Sequence, residues 1–126
     1  MESNFIRWFR AKYIPEDAFW YKIPDSFHGG YRPFDAICLF ANGKFAAFEF
    51  KYQRVGLSFN LKNNVLVHQK TNLNKIIKNN QQSYLALRLT QKTYIFPWGD
   101  ICGITVLTPV LIKEKSIKDI KEYFNG

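Results

Sequence analysis

The sequence predicts an α/β domain, a mixed central β-sheet flanked by helices in the order αβββαββ(β)α. Three observations carry this reading. An aromatic stripe runs at helical spacing near the N-terminus, two apolar segments flank Asn42-Gly43, and an amphipathic segment from Val65 to Lys78 precedes further strand-like runs. At 126 residues the chain fits one domain, 1–126, with one core and room for one site.

Residues Ser3 to Tyr13 form the first predicted helix, because Phe5, Phe9 and Tyr13 share a face that Ile6 and Trp8 widen before Pro15 ends the run. Ala18–Ile23, Phe34–Ala41 and Phe45–Tyr52 read as strands, the last two a hairpin through Asn42-Gly43. Gln53 to Asn64 is polar and reads as irregular. The helix from Val65 to Lys78 turns Leu66, Leu73, Ile76 and Ile77 inward and leaves a basic outer face. Ser83–Leu89 and Thr93–Pro97 are expected as strands, Ile104–Leu107 as a third, and Ser116–Phe124 as a closing helix capped by Ser116. Asp100, after Trp98-Gly99, reads as a loop or cap residue.

Composition narrows the function classes. Apolar residues make up 47% and aromatics 17%, while 22% charge argues against both membrane embedding and disorder. No run approaches the roughly 20 apolar residues of a spanning helix, and the N-terminus has no signal-peptide pattern, so the expected address is cytoplasmic with no membrane partner. Cys38 and Cys102 form no CxxC motif and are expected as free buried thiols. Net charge is +8, which favours anionic partners. From Ala36 through Gly99 the only acidic side chain is Glu49, among nine lysines and arginines. A lone carboxylate in such surroundings points to a purpose, against the simpler alternative of a solvated strand residue.

The chemistry concentrates in Arg32-Pro33-Phe34-Asp35 and Glu49-Phe50-Lys51. Residues two apart on a strand share a face, so Glu49 and Lys51 project together. Carboxylate oxygens suit Mg²⁺, which polarises a phosphate and acidifies a bound water; Asp35 and Glu49 are the expected metal ligands. Mn²⁺ is expected to substitute. Lys51 can orient the attacking water and offset charge growing on the phosphorus centre.

The turn decides whether this site can exist. A two-residue loop pairing Ala41 with Lys44 would set Asp35 opposite Phe50 and turn it away from Glu49. A type I turn centred on Ala41 and Asn42, with Gly43 left-handed as a G1 bulge, pairs Phe40 with Lys44 and brings Asp35 opposite Glu49. The chemistry requires the second, so a positive φ at Gly43 is expected.

On these residues, with Tyr21-Lys22-Ile23-Pro24-Asp25 and His68-Gln69, the sequence resembles the PD-(D/E)XK nuclease superfamily, and within it RecU-type Holliday junction resolvases and related recombination nucleases. The resemblance implies a restriction-endonuclease-like αβββαβ core, metal binding by Asp35 and Glu49, and a catalytic Lys51. It further implies that Glu2 corresponds to an acidic residue on the first helix of many members and that Gln69 lies beside the site. RecU-type enzymes carry a longer N-terminal region and an insertion where this chain has only Asp25 to Pro33. The implied function is a metal-dependent endonuclease of recombination or repair acting on DNA, branched DNA included. Two cuts across a junction would need two sites and hence a homodimer, for which the sequence offers no interface.

DNA contacts are assigned to Arg32, Arg54, Lys62, Lys70, Lys75 and Lys78, whose phosphate-binding role competes with the ordinary solvated lysine face. Tyr31 and Tyr52 flank the site and could stack on a base. His68 reads as a surface or phosphate-contacting residue, Asp25 as a turn residue, and His28-Gly29-Gly30 as a turn. The rival function is a basic nucleic-acid-binding domain without catalysis.

Overall fold

The computed structural model describes the backbone of residues 2–24 and 32–126, with side chains from Ser3 onward within those ranges. The expectations for Asp25, His28-Gly29-Gly30 and Tyr31 and for the Glu2 side chain lie outside the described residues. Helix α1 (Glu2–Tyr13) leads into β1 (Phe19–Lys22), β2 (Ala36–Leu39) and β3 (Phe45–Gln53). A short β4 (Phe59–Asn60) and α2 (Leu61–Asn64) precede α3 (Val67–Lys78), β5 (Gln82–Leu89) and β6 (Lys92–Pro97). The chain closes with α4 (Trp98–Ile101), β7 (Val106–Leu107), α5 (Pro109–Lys115) and α6 (Ile120–Asn125).

The main sheet has the order β1-β2-β3-β5-β6, in which only β3 and β5 run parallel, because α3 carries the chain back between them. The alternation of β3 divides the core between the two faces. Phe48 and Phe50 meet Phe5 and Phe9 of α1 and Phe124 of α6 on one side, in a cluster of edge-on and tilted rings. Ala47 joins Leu85, Leu87, Leu73 of α3 and Phe96 on the other. Ser83 Oγ donates to Leu73 O at 3.0 Å, and Trp98 Nε1 to Asn74 Oδ1 at 2.7 Å, fixing α3 over this second face.

The turn takes the three-residue form. Phe40 N donates to Lys44 O, Gly43 N donates to Phe40 O, and Gly43 has φ +87°. Asn42 Oδ1 accepts from Lys44 N at 2.9 Å. Only a residue without Cβ enters that conformation at little cost.

Several boundaries differ from expectation. The strand expected over Phe34–Ala41 shortens to Ala36–Leu39, since Asp35 N leaves the regular ladder to bond Phe48 O and Phe40 already closes the turn with Gly43 and Lys44. The irregular stretch from Gln53 contains β4 and α2, and the strand expected over Ile104–Leu107 reduces to β7, which pairs with β4 in a separate two-stranded sheet. Leu66 is half exposed at the N-cap of α3 and not inward, because the helix starts at Val67, two residues later than expected. The C-terminal helix divides: Thr108 caps α5 with Pro109 at its first position, Ser116 is its C-cap, and Asp119 caps α6 by accepting from Glu122 N. Cys38 is buried but Cys102 is exposed, its thiol reaching Gly99 O at the end of α4. Asp100 lies in the first turn of α4.

Candidate active site

Three elements converge on the α3 face of the sheet. Asp35 immediately precedes β2, and its backbone is held on both sides: Asp35 N donates to Phe48 O and Ile23 N donates to Asp35 O, each at 2.9 Å. The β2–β3 register runs from Leu39 opposite Phe45 to Ala36 opposite Phe48, and just beyond its end the Asp35 and Glu49 carboxyls are direct neighbours. Continued pairing would offer Phe50 N–H to the Phe34 carbonyl; the Asp35 carboxylate takes it instead, Oδ2 accepting at 2.8 Å. A rigid backbone donor thus orients the first carboxylate.

Glu49 and Lys51 alternate with Phe50 on β3, whose partners on β5 opposite these two are Leu85 and Leu87. Asp35 is 2% exposed and Glu49 1%. Lys51 Nζ reaches Glu49 Oε2 at 3.2 Å and donates to Gln69 Oε1 at 3.3 Å. The same Gln69 oxygen accepts from Leu66 N at 2.9 Å, so this side chain caps the start of α3 while holding the lysine. The mouth of the site is marked by Arg32, whose Nη2 lies 3.3 Å from Asp35 Oδ1.

Glu49 has its pKa raised to about 8, first by burial and then by the charge of Asp35, against the opposing pull of Lys51. Its Oε1 is buried with no hydrogen-bond partner. Asp35, which also acts on Glu49 as a direct carboxyl neighbour, offers only lone pairs when ionised. What the pair lacks is positive charge between the carboxyls, either a shared proton or a hard cation. The donor set fits a divalent ion that prefers oxygen and keeps several waters, which two carboxylates suffice to hold. Among the described residues no cluster of three His, Cys, Asp or Glu side chains forms.

The other predicted residues divide by position. Phe5 meets Phe50 and Phe9 meets both Phe48 and Phe50, so α1 starts at the same end of β3 as Lys51, although it packs on the opposite face. Glu2 opens that helix. Arg54 is exposed just beyond β3, and Lys62 lies on α2, where its carbonyl accepts from Lys70 Nζ at 3.3 Å. Lys75 and Lys78 are exposed in the last turn of α3, six and nine residues past Gln69, or roughly 9 and 14 Å along the helix axis. They extend away from the carboxylates. His68 lies in the first turn of the same helix beside Gln69, and Tyr52, 40% exposed, follows Lys51 on the opposite sheet face. The pairing of Arg32 with Asp35, three residues on, was open to inspection as an i, i+3 charge pair.

No family model matches the chain, and no curated protein sequence is significantly similar to it. Among solved structures the chain resembles Hjc of Archaeoglobus fulgidus, a Holliday junction resolvase from an archaeal hyperthermophile, with a TM-score of 0.63 at 16% identity, covering 97% of this chain and 94% of that one. The shared property is the fold, a mixed sheet flanked by helices. The likeness holds at that level and does not single out the RecU type.

Proposed function

We propose that this chain is a divalent-metal-dependent DNA endonuclease of the PD-(D/E)XK kind, a Holliday-junction-resolvase-like or other structure-selective enzyme of recombination or repair. One observation carries the reading: beyond the three-residue turn at Gly43, the buried Asp35 and Glu49 carboxyls are direct neighbours with Lys51 paired to Glu49, and Glu49 Oε1 lacks a partner. The fold shared with an archaeal resolvase over nearly the whole chain supports it.

Asp35 and Glu49 would hold the ion, Mg²⁺ by preference with Mn²⁺ as substitute, and the ion would supply Lewis acidity toward the phosphate and a water of lowered pKa. The protein's own groups do the rest. Asp35 is aimed by the Phe50 N–H, Lys51 is kept in place by Glu49 and Gln69 and can orient water or meet negative charge on the phosphate, and the apolar surroundings strengthen both effects. Glu2, if it reaches the sheet edge, adds a further carboxylate. Arg32 borders Asp35 and Lys70 follows Gln69 on α3, while Arg54, Lys62, Lys75 and Lys78 would extend a phosphate track from there, so binding would read backbone and shape more than bases. A homodimer would provide the two cuts a four-way junction needs.

The test compares cleavage of four-way, flap, duplex and single-stranded DNA at matched salt, with Mg²⁺ and with EDTA. Cutting should require the metal, and Asp35→Asn or Glu49→Gln should abolish it while DNA binding stays intact or tightens. Wild-type turnover by either variant, or full activity in chelator, would sink the assignment.

A further inference from the structure

Of the four carboxylate oxygens at the site, two are committed to the protein's internal structure. Asp35 Oδ2 accepts from the backbone of β3, and Glu49 Oε2 is paired with Lys51. That leaves Asp35 Oδ1 and Glu49 Oε1, and a cation held by these two residues would compete with whatever already neutralises them. The second is without a partner, but the first faces the Arg32 guanidinium at 3.3 Å. That guanidinium is tethered by Nη1 to Ile23 O at 3.5 Å, and at 27% exposure it stands between solvent and a carboxylate that is 2% exposed.

We propose that Arg32 is a resident counter-ion that leaves Asp35 Oδ1 when a divalent cation is taken up, and that the displaced guanidinium then serves as a phosphate contact. The inference rests on the nuclease reading above. Arginine cannot give way by losing its proton, so it must move. A guanidinium and a divalent ion on one oxygen, at a carboxylate only 2% exposed, repel each other strongly. Arg32 has a long, part-exposed side chain, and its planar fork matches phosphate oxygens as well as carboxylate ones. The exchange would keep the carboxylates neutralised without metal and link metal uptake to DNA engagement, each favouring the other.

The test is calorimetric titration of Mn²⁺ into the full chain, for the wild type, Arg32→Gln and Glu49→Gln, without DNA. Arg32→Gln should bind Mn²⁺ about tenfold more tightly than the wild type, the loss of one opposing charge and one competitor, while Glu49→Gln should lose the site. Equal or weaker binding by Arg32→Gln, with binding still abolished by Glu49→Gln, would overturn the exchange and leave the nuclease reading standing. No binding by any form, or binding indifferent to Glu49→Gln, would overturn both. The wild type supplies a second measurement that needs no variant to fold. The Arg32 guanidinium signals in its NMR spectrum should shift on saturation with Mg²⁺, and signals that keep their ion-paired positions would reject the proposal.

Discussion

Replacing Glu49 with glutamine should stabilise the metal-free protein at alkaline pH, even though it removes a buried ion-pair partner. Glu49 has its pKa raised from 4.5 to about 8 by burial and by Asp35. Between those values the folded chain holds a proton that the unfolded chain has lost, so stability falls as pH rises, by about 1.4 kcal/mol per pH unit for this one group. Below pH 4.5 both states are protonated and there is no penalty; above about 8 both are ionised and the penalty is complete. The accumulated loss, on the order of 5 kcal/mol, is a large share of the roughly 5–15 kcal/mol that keeps a domain folded. The opposing cost of Glu49→Gln is small, because Lys51 is 17% exposed and keeps Gln69 as acceptor. The assay is urea denaturation in EDTA from pH 5 to 8.5. The wild type should lose stability across this range, Glu49→Gln should lose much less, and the two curves should cross so that the variant is the more stable at pH 8. Parallel curves, or a variant weaker at every pH, would refute the idea that Glu49 is strained by ionisation. Adding Mg²⁺ at pH 8 should restore the wild type and leave Glu49→Gln unchanged.

Gly43→Val should cost about 1–2 kcal/mol in thermal or urea melts, purely through backbone strain, because no atom lies within 4 Å of a Cβ built there while φ is +87°. Activity should fall further than stability if the turn sets the Asp35–Glu49 register, and a fully active Gly43→Val would break that link. Gln69→Ala should lose about 1 kcal/mol from the uncapped start of α3 and should also lower the cleavage rate, since Lys51 loses an acceptor; a stability loss with normal rates would leave Gln69 a capping residue only. Replacing Lys70, Lys75 and Lys78 with glutamine should flatten the plot of log affinity for DNA against log salt by up to roughly three units, and an unchanged slope would place the DNA elsewhere.

What sequence alone determined here is what depends on period and local chemistry. The two-residue repeat of a strand places Glu49 and Lys51 on one face wherever the strand lies, and Asn42-Gly43 marks the turn, whose three-residue form with Gly43 at positive φ the structure selects. The aromatic stripe of α1 and the inward face of α3 at Leu73 follow from helical spacing in the same way. The tertiary structure decided everything that rests on partners distant in the chain. Asp35 finds Phe50 N, fifteen residues away, only because the sheet closes, and Gln69 meets Lys51 only because α3 crosses back over β3. The raised pKa of Glu49 is likewise a property of burial that no local pattern contains. Where local signals competed, packing settled the outcome. Ser116 and Asp119 are both acceptable caps, and the chain uses the second because Ile112 and Ile120 are buried from separate helices, one on each core cluster. Leu66 is apolar yet exposed, since starting α3 at Val67 lets Gln69 reach back to the Leu66 N–H and stand over the site.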